Sequence, residues 1–272
     1  MKVREALAAA ARRLAATSDT ATLDAELLMA HVLGVERHAM LLSRLGDPAP
    51  ETFESLVARR ERGEPVAYID GRRAFWSIEL EVGPGVLVPR PDSESLIEAA
   101  VEHFGRAGPD RILDLGTGPG TLLLAALAEW PEASGLGIDA SEAALAYARR
   151  NAERLGLASR AEFRLGDWAA GIRERFDLIL CNPPYVETGA ALPRDVAQWE
   201  PHEALFAGGD GLAVYRRLAP ELARRLAPGG IACVEIGLGQ CDSVTAMFQA
   251  HAFSVSMRRD LAGIERCLVL RP

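Results

Sequence analysis

The chain has 272 residues, 49% hydrophobic and 25% charged, an ordinary globular composition long enough for one large domain and a small one. No run of about eighteen uncharged apolar residues occurs, so no membrane-spanning helix is expected. The net charge is −8, whereas a protein devoted to bare nucleic acid is more often basic.

Arg and Glu interrupt the apolar start "MKVREALAAAARRLAATSDT", which argues for folded structure rather than a secretory leader. Val3, Leu7, Ala10 and Leu14 fall at helical spacing. A second helix is expected from a capping Thr20, through Leu23, Leu27, Met29 and Leu33, to a stop at Gly34. "PETFESLVARRERG" reads as a third, entered at Pro50 and left at Gly63. Residues 1–73 are therefore expected to form a small helical bundle. It is close to neutral: residues 1–75 carry 11 basic and 11 acidic side chains, and the remainder 19 and 27. Residues 74–88 alternate in the strand manner around "GPG", so a β-hairpin linker is expected over 74–90. From residue 91 to 272 a second domain is expected. Strands "RILDLG", "SGLGID", "AEFRLGD", "FDLILCN" and "GIACVEIG" alternate there with helices over 120–130, 141–155, 211–226 and 240–250. The last two strands, "FSVSMRRD" and "GIERCLVLR", read as antiparallel partners. Repeated βα units give an α/β, doubly wound and mostly parallel sheet covered on both faces. Cys181, Cys233, Cys241 and Cys267 show no CxxC spacing, so reduced core thiols of a cytoplasmic protein are expected and no metal site.

The first strand of the second domain runs into "LDLGTGPG", with Gly116, Gly118 and Gly120 at the turn into its helix. Glycines there allow tight turning and close approach to a ligand, while the helix N-terminus points donors at it. A glycine-rich turn alone does not distinguish a binding loop from a plain βα turn. Asp139, ending the next strand about twenty residues on, adds a carboxylate that could accept both hydroxyls of a ribose. Its competing role is to cap the helix that follows, which Ser141 serves better. A dinucleotide site would read G-x-G-x-x-G, but here the pattern is G-x-G-x-G, preceded by Asp114. That arrangement resembles motif I of the S-adenosylmethionine-dependent methyltransferases, whose fold is a seven-stranded Rossmann-like sheet ending in an antiparallel pair. The resemblance implies that Asp114, Gly116, Thr117, Gly118, Pro119 and Gly120 meet the methionine part of S-adenosyl-L-methionine, and that Asp139 holds its ribose. Asp167 and Trp168, in "GDW", would then flank the adenine, with core burial the plainer role for the indole.

The fourth strand ends in Asn182-Pro183-Pro184-Tyr185. Two prolines make a stiff exit, since each fixes φ and restricts the residue before it. Among methyltransferases this motif resembles that of enzymes methylating planar nitrogens: adenine or guanine amino groups, or the glutamine amide. Such a nitrogen is a poor nucleophile because its lone pair is delocalised. Asn182 Oδ1 and the Pro183 carbonyl could each accept one N–H, an interaction that strengthens as the nitrogen becomes positive. Tyr185 could pack on the planar group. Asn182 would also border the cofactor, and Pro184 would complete the substrate-binding wall.

The acceptor is narrowed by a wider likeness. "GEPVAYIDGRRAFWSIELEVGPGVLVPRPDSESLIE", "EPHEALFAGGDGLAVYRRL", "APGGIACVEIGLGQ" and "DLAGIERCLVLR" are similar to segments of the PrmC/HemK family, the release factor glutamine N5-methyltransferases. The likeness implies methylation of the GGQ glutamine in bacterial class I peptide release factors, by a monomer whose helical front end grips that protein, without direct nucleic-acid or membrane binding. Methylation of a ribosomal protein glutamine, or of a nucleic-acid amino group, is the alternative. Two departures stand out: "PRPDSE" where the family more usually has "PRPETE", and Pro119 within the cofactor loop. Arg90 is expected to order the substrate loop or to pair with Asp92 or Glu94. Glu235 and Gln240 are expected to form a buried polar network holding their strand.

Overall fold

The first helices form where apolar residues share one face and polar or glycine residues break the run. α1 (Val3–Leu14) buries Val3, Ala6, Ala10 and Leu14. α2 (Ala21–Leu33) ends at Gly34, whose φ of 63° suits a residue without a Cβ. α3 (Arg37–Ser43), α4 (Thr52–Glu61) and α5 (Val66–Asp70) complete the group, and α3 and α5 are too short for periodicity to announce them. In the computed structural model, which describes residues 1–272, these helices belong to one compact unit, Met1–Arg72 with Leu192–Glu200.

The inward stripe of α2 differs from the expected one. Leu23 is 41% exposed, and the buried face consists of Asp24, Ala25, Leu28, Met29 and Ala30. A buried ion pair accounts for the rotation. Asp24 accepts from Arg60 Nε at 2.7 Å, from Ser18 Oγ at 2.7 Å and from Thr20 Oγ1 at 2.8 Å. Thr20 therefore spends its hydroxyl on Asp24 rather than on a helix cap. Arg60 also reaches Asp195 Oδ2 at 3.4 Å, tying the distant segment Leu192–Glu200 into this unit.

The second unit, Arg73–Ala191 with Pro201–Pro272, begins at a hairpin of β1 (Arg72–Phe75) and β2 (Ile78–Glu81). The turn is not "GPG" but Trp76-Ser77. Trp76 adopts φ 53°, its main-chain N–H donates to Glu94 Oε1 at 2.9 Å, and its indole N–H donates to Glu129 Oε2 at 3.0 Å. Those two carboxylates hold a left-handed conformation that a tryptophan rarely takes.

After α6 (Glu94–Phe104) the chain alternates: β3 (Arg111–Leu115), α7 (Thr121–Glu129), β4 (Ser134–Asp139), α8 (Glu142–Arg154), β5 (Ala161–Leu165), β6 (Phe176–Cys181). Then come α9 (Arg194–Trp199), α10 (Ala213–Arg225), β7 (Leu226–Glu235), α11 (Cys241–Gln249), β8 (Ser254–Arg259) and β9 (Glu265–Arg271). The seven later strands form one sheet in the order β5-β4-β3-β6-β7-β9-β8. β3 to β7 are parallel, and β9 lies antiparallel between β7 and β8, as the alternation and the closing pair predict. The central strands are buried on both faces, so they read as unbroken apolar runs. The edge strands "AEFRL" and "SVSMRR" carry charges that discourage further pairing.

Candidate active site

The sheet reverses direction of growth at β3, which has β4 on one side and β6 on the other. Open α/β sheets bind ligands at such a point, beyond the carboxyl ends of the strands. Leu115 of β3 and Cys181 of β6 are register partners, so the glycine loop and the Asn-Pro-Pro-Tyr exit leave the sheet side by side. A cavity of about 50 Å³ lies between them, lined by Arg90, Ser93, Asp114, Thr117, Gly118 and Asn182 among others. A ligand the size of a nucleoside would extend beyond it.

Gly116, Gly118 and Gly120 have φ of 73°, 56° and 88°. A Cβ on Gly118 would meet nothing within 4 Å, whereas one on Gly120 would sit 2.7 Å from Leu124 Cδ1. Gly118 is thus open toward a ligand, and Gly120 answers to helix packing. The loop is bound to the second strand of the motif: Gly116 and Thr117 donate to the Ile138 carbonyl, and Gly118 donates to Asp139 Oδ2 at 2.8 Å. Asp139 Oδ1 accepts the Ser141 N–H at 2.8 Å, while Ser141 Oγ caps α8 by accepting from Ala144. Asp139 is therefore less free than the sequence suggests; each oxygen holds a backbone donor and keeps one lone pair for a ligand.

Asp114, 1% exposed, accepts from Thr117 Oγ1 at 2.6 Å and from the Leu123 N–H at 3.2 Å, both through Oδ2. Its Oδ1 is buried without a partner. Burial pushes this carboxyl up to about 7, with the Asp139 charge adding to it, against the lowering hydrogen bonds. An orphaned acidic oxygen beside an open left-handed glycine fits a cationic, amine-bearing ligand such as a methionine moiety. The Pro119 carbonyl accepts from Asn151 Nδ2 at 3.0 Å. The fully buried Asn151 also bonds the main chain of Glu81 in both directions, so it fixes the glycine loop to the hairpin. A lone asparagine in a helical run gave no warning of that.

Trp168 takes φ 53° and lies over the loop: a Cβ on Gly116 would be 3.4 Å from its ring. Asp167 is exposed and paired with Arg217 at 2.6 Å, a partner no spacing foretold. Asp92 pairs with Arg266 at 3.1 Å, and Glu94 accepts the Trp76 N–H at 2.9 Å.

At the other wall, Asn182 Nδ2 donates to Ser93 Oγ at 3.0 Å, and Ser93 Oγ donates to Glu235 Oε2 at 2.5 Å. The Tyr185 hydroxyl donates to Glu235 Oε1 at 3.3 Å, and Tyr215 donates to the Glu235 carbonyl at 3.0 Å. Gln240 Nε2 donates to the Tyr185 carbonyl at 3.0 Å, and Gln240 Oε1 accepts the Gly237 N–H at 3.0 Å. The expected network of Glu235 and Gln240 thus grips the motif itself. A Cβ on Gly237 would be 2.9 Å from Tyr185 Cδ2, so the ring lies directly against that turn. Ser93 was legible only as a departure from the family pattern, although its hydroxyl is what the network uses.

The sequence profile of the PrmC N-terminal domain matches residues 5–71, and that of a methyltransferase domain matches residues 108–250. A Rhodospirillum rubrum protein named release factor glutamine methyltransferase is 46% identical over 254 residues, 91% of this chain and 78% of that one. Proteins of the same name from Cereibacter sphaeroides (44%, covering 100% and 99%) and Caulobacter vibrioides (43%, covering 92% and 89%) are also similar. Among solved structures, a T. thermophilus 16S rRNA N2 methyltransferase in complex with AdoMet and guanosine aligns with TM-score 0.53 at 22% identity, covering 74% of this chain and 50% of that one. The hMettl16 catalytic domain aligns with TM-score 0.55 at 16%, covering 79% and 81%. These two likenesses speak to the fold alone.

Proposed function

The chain belongs to the release factor glutamine methyltransferase family, and we propose that it N5-methylates the glutamine of the GGQ tripeptide in bacterial class I peptide release factors. The cofactor is S-adenosyl-L-methionine, which supplies an electrophilic methyl group on a sulfonium and is released as S-adenosyl-L-homocysteine. Asp114 and the loop Gly116-Thr117-Gly118-Pro119-Gly120 would hold its methionine part, Asp139 its ribose, and Trp168 its adenine. Asp167 would first have to share its carboxylate with Arg217.

Asn182 Oδ1 and the Pro183 carbonyl accept the two N–H groups of the substrate amide and aim its lone-pair face at the cofactor side of the crevice. The acceptors gain strength as positive charge grows on the nitrogen, so they favour the transition state over the ground state. Pro183 and Pro184 keep the carbonyl from swinging, and Tyr185 packs on the planar amide. Arg90, on the rim of the same cavity, orders the substrate loop. Orientation and electrostatics supply the rate; methyl transfer itself needs no general base.

The observation that carries the reading is the pairing of Leu115 with Cys181, which brings the glycine loop and Asn182 to one crevice. In this reading the enzyme works as a monomer in the cytoplasm, on a protein rather than a nucleic acid, in keeping with its free thiols and acidic balance. No helix is long and apolar enough to cross a membrane. Incubation with methyl-labelled cofactor and, separately, release factor, ribosomal protein, DNA or RNA tests the assignment. Label is expected in release factor; label confined to RNA or DNA would refute it.

A further inference from the structure

We infer that Ser93 and Glu235 are positioning residues for the reaction, Glu235 orienting the Ser93 hydroxyl and Ser93 the Asn182 amide, so that Asn182 Oδ1 faces the acceptor nitrogen. The inference rests on the reading of Asn182 given above and adds the device that holds it.

An asparagine side chain can be turned over with little change in shape, exchanging its acceptor for two donors. Turned the wrong way, Asn182 would present N–H groups to the N–H groups of a substrate amide. Something must therefore select one orientation. Ser93 Oγ, the only partner seen for the Asn182 side chain, could in principle donate or accept. Glu235 decides between these: its carboxylate can only accept, and with Oε2 at 2.5 Å it takes the single hydroxyl proton of Ser93. Only lone pairs of Ser93 are then left for Asn182, which must answer with its amide nitrogen and turn Oδ1 the other way.

Two further observations fit a dedicated role. Ser93 ends a 3-10 turn, Pro91–Ser93, that runs on into α6 with helical backbone angles, so no helix cap claims its hydroxyl. Both Ser93 and Glu235 are nearly inaccessible, at 2% and 1% exposure, so water cannot substitute for either partner. A buried carboxylate is costly to keep for stability alone.

The orientation depends on charge. If Glu235 binds a proton it can donate to Ser93, which frees the serine hydroxyl to donate to Asn182 and invert the amide. Groups facing Glu235 come from every side: Tyr185 after β6, Tyr215 on α10, Asp92 beside Ser93, Arg266 and Cys267 on β9, and Cys181 on β6. Arg266 favours the charged form and Asp92 opposes it, but burial dominates and pushes the carboxyl up to about 7. Loss of the orienting charge should therefore appear as an acid limb in the turnover rate.

The test uses the full chain and four variants, Ser93→Ala, Ser93→Thr, Glu235→Gln and Asn182→Ala, each checked for folding by circular dichroism. Turnover is measured against pH at saturating cofactor and release factor, and Asn182 side-chain amide resonances are followed by NMR in the protein without cofactor. In the wild type these resonances should move as Glu235 titrates, and Ser93→Ala should uncouple them. Ser93→Ala should lower kcat about tenfold or more with cofactor affinity little changed, and Ser93→Thr should restore it to within about threefold. Glu235→Gln cannot titrate, so its acid limb should vanish. Burial pushes Asp114, which lines the same cavity, up to about 7 as well, so the part of the movement that Glu235→Gln removes is the part assigned to Glu235. Wild-type kcat in Ser93→Ala, an unchanged acid limb in Glu235→Gln, or Asn182 resonances indifferent to pH would each overturn the inference. Where Glu235→Gln does not fold, the Ser93 variants and the resonances decide. Full activity in Asn182→Ala would instead sink the underlying reading of Asn182.

Discussion

Asp139 shows how one carboxylate can serve loop and ligand together. Its two oxygens already receive the N–H groups of Gly118 and Ser141. Asp139→Ala removes both acceptors, and Asp139→Asn turns an amide donor toward one backbone donor. Both variants should weaken cofactor binding about tenfold or more, measured by calorimetry; unchanged affinity would remove Asp139 from the site. Glu235 gives a second prediction at this scale. Its folded-state pKa is raised from 4.5 to about 7, so the folded form binds a proton more tightly than the unfolded form. That contribution to stability is full at low pH and is lost as pH rises from the ordinary carboxylate range through about 7. Glu235→Gln, measured by urea unfolding, should therefore gain on the wild type as pH rises, by at most about 3 kcal/mol. A difference that does not change with pH would contradict it. The motif residues around this network were legible in the sequence because their chemistry is local. The Ser93–Glu235 contact was not, since it joins residues 142 positions apart.

Among the elements, α2 marks where periodicity misleads. Leu23, Leu27, Met29 and Leu33 define a plausible stripe, and Met29 is buried and Leu33 packs on the core, but Asp24 draws the helix round to meet Arg60. An acid and an arginine 36 positions apart cannot be matched from spacing, and a buried pair overrides the apolar face once formed. Arg60→Met leaves Asp24 buried with only its serine and threonine donors. It should cost about 3–5 kcal/mol in denaturant unfolding, and adding Asp24→Asn should recover part of that. A loss below about 1 kcal/mol would show the pair to be dispensable. The hairpin teaches the same lesson, because "GPG" is the stronger turn signal, yet carboxylates from Glu94 and Glu129 hold the turn at Trp76. After Asp110 the six-residue α9 was not foreseen, but the other strands and helices were readable, by contrast, since apolar runs alternate with helical patterns and glycine or proline punctuates them.

In the molecule as a whole, strand order is what turns two local motifs into a site. The glycine loop and Asn182 lie more than sixty residues apart in sequence and become neighbours only because β6 pairs with β3. The same topology follows the motif with a segment, Leu192–Glu200, that belongs to the helical unit rather than to the sheet. That return had no signature in the sequence, as Asp195 gains its meaning only beside Arg60. The central claim is that this crevice transfers a methyl group to one glutamine of a release factor. Its most direct test is tandem mass spectrometry of a class I release factor treated with the enzyme and S-adenosyl-L-methionine. The account predicts one added methyl group, on the side chain of the GGQ glutamine, and none with Asn182→Ala. A methyl group on another residue, or an unmodified release factor beside a methylated nucleic acid, would contradict it.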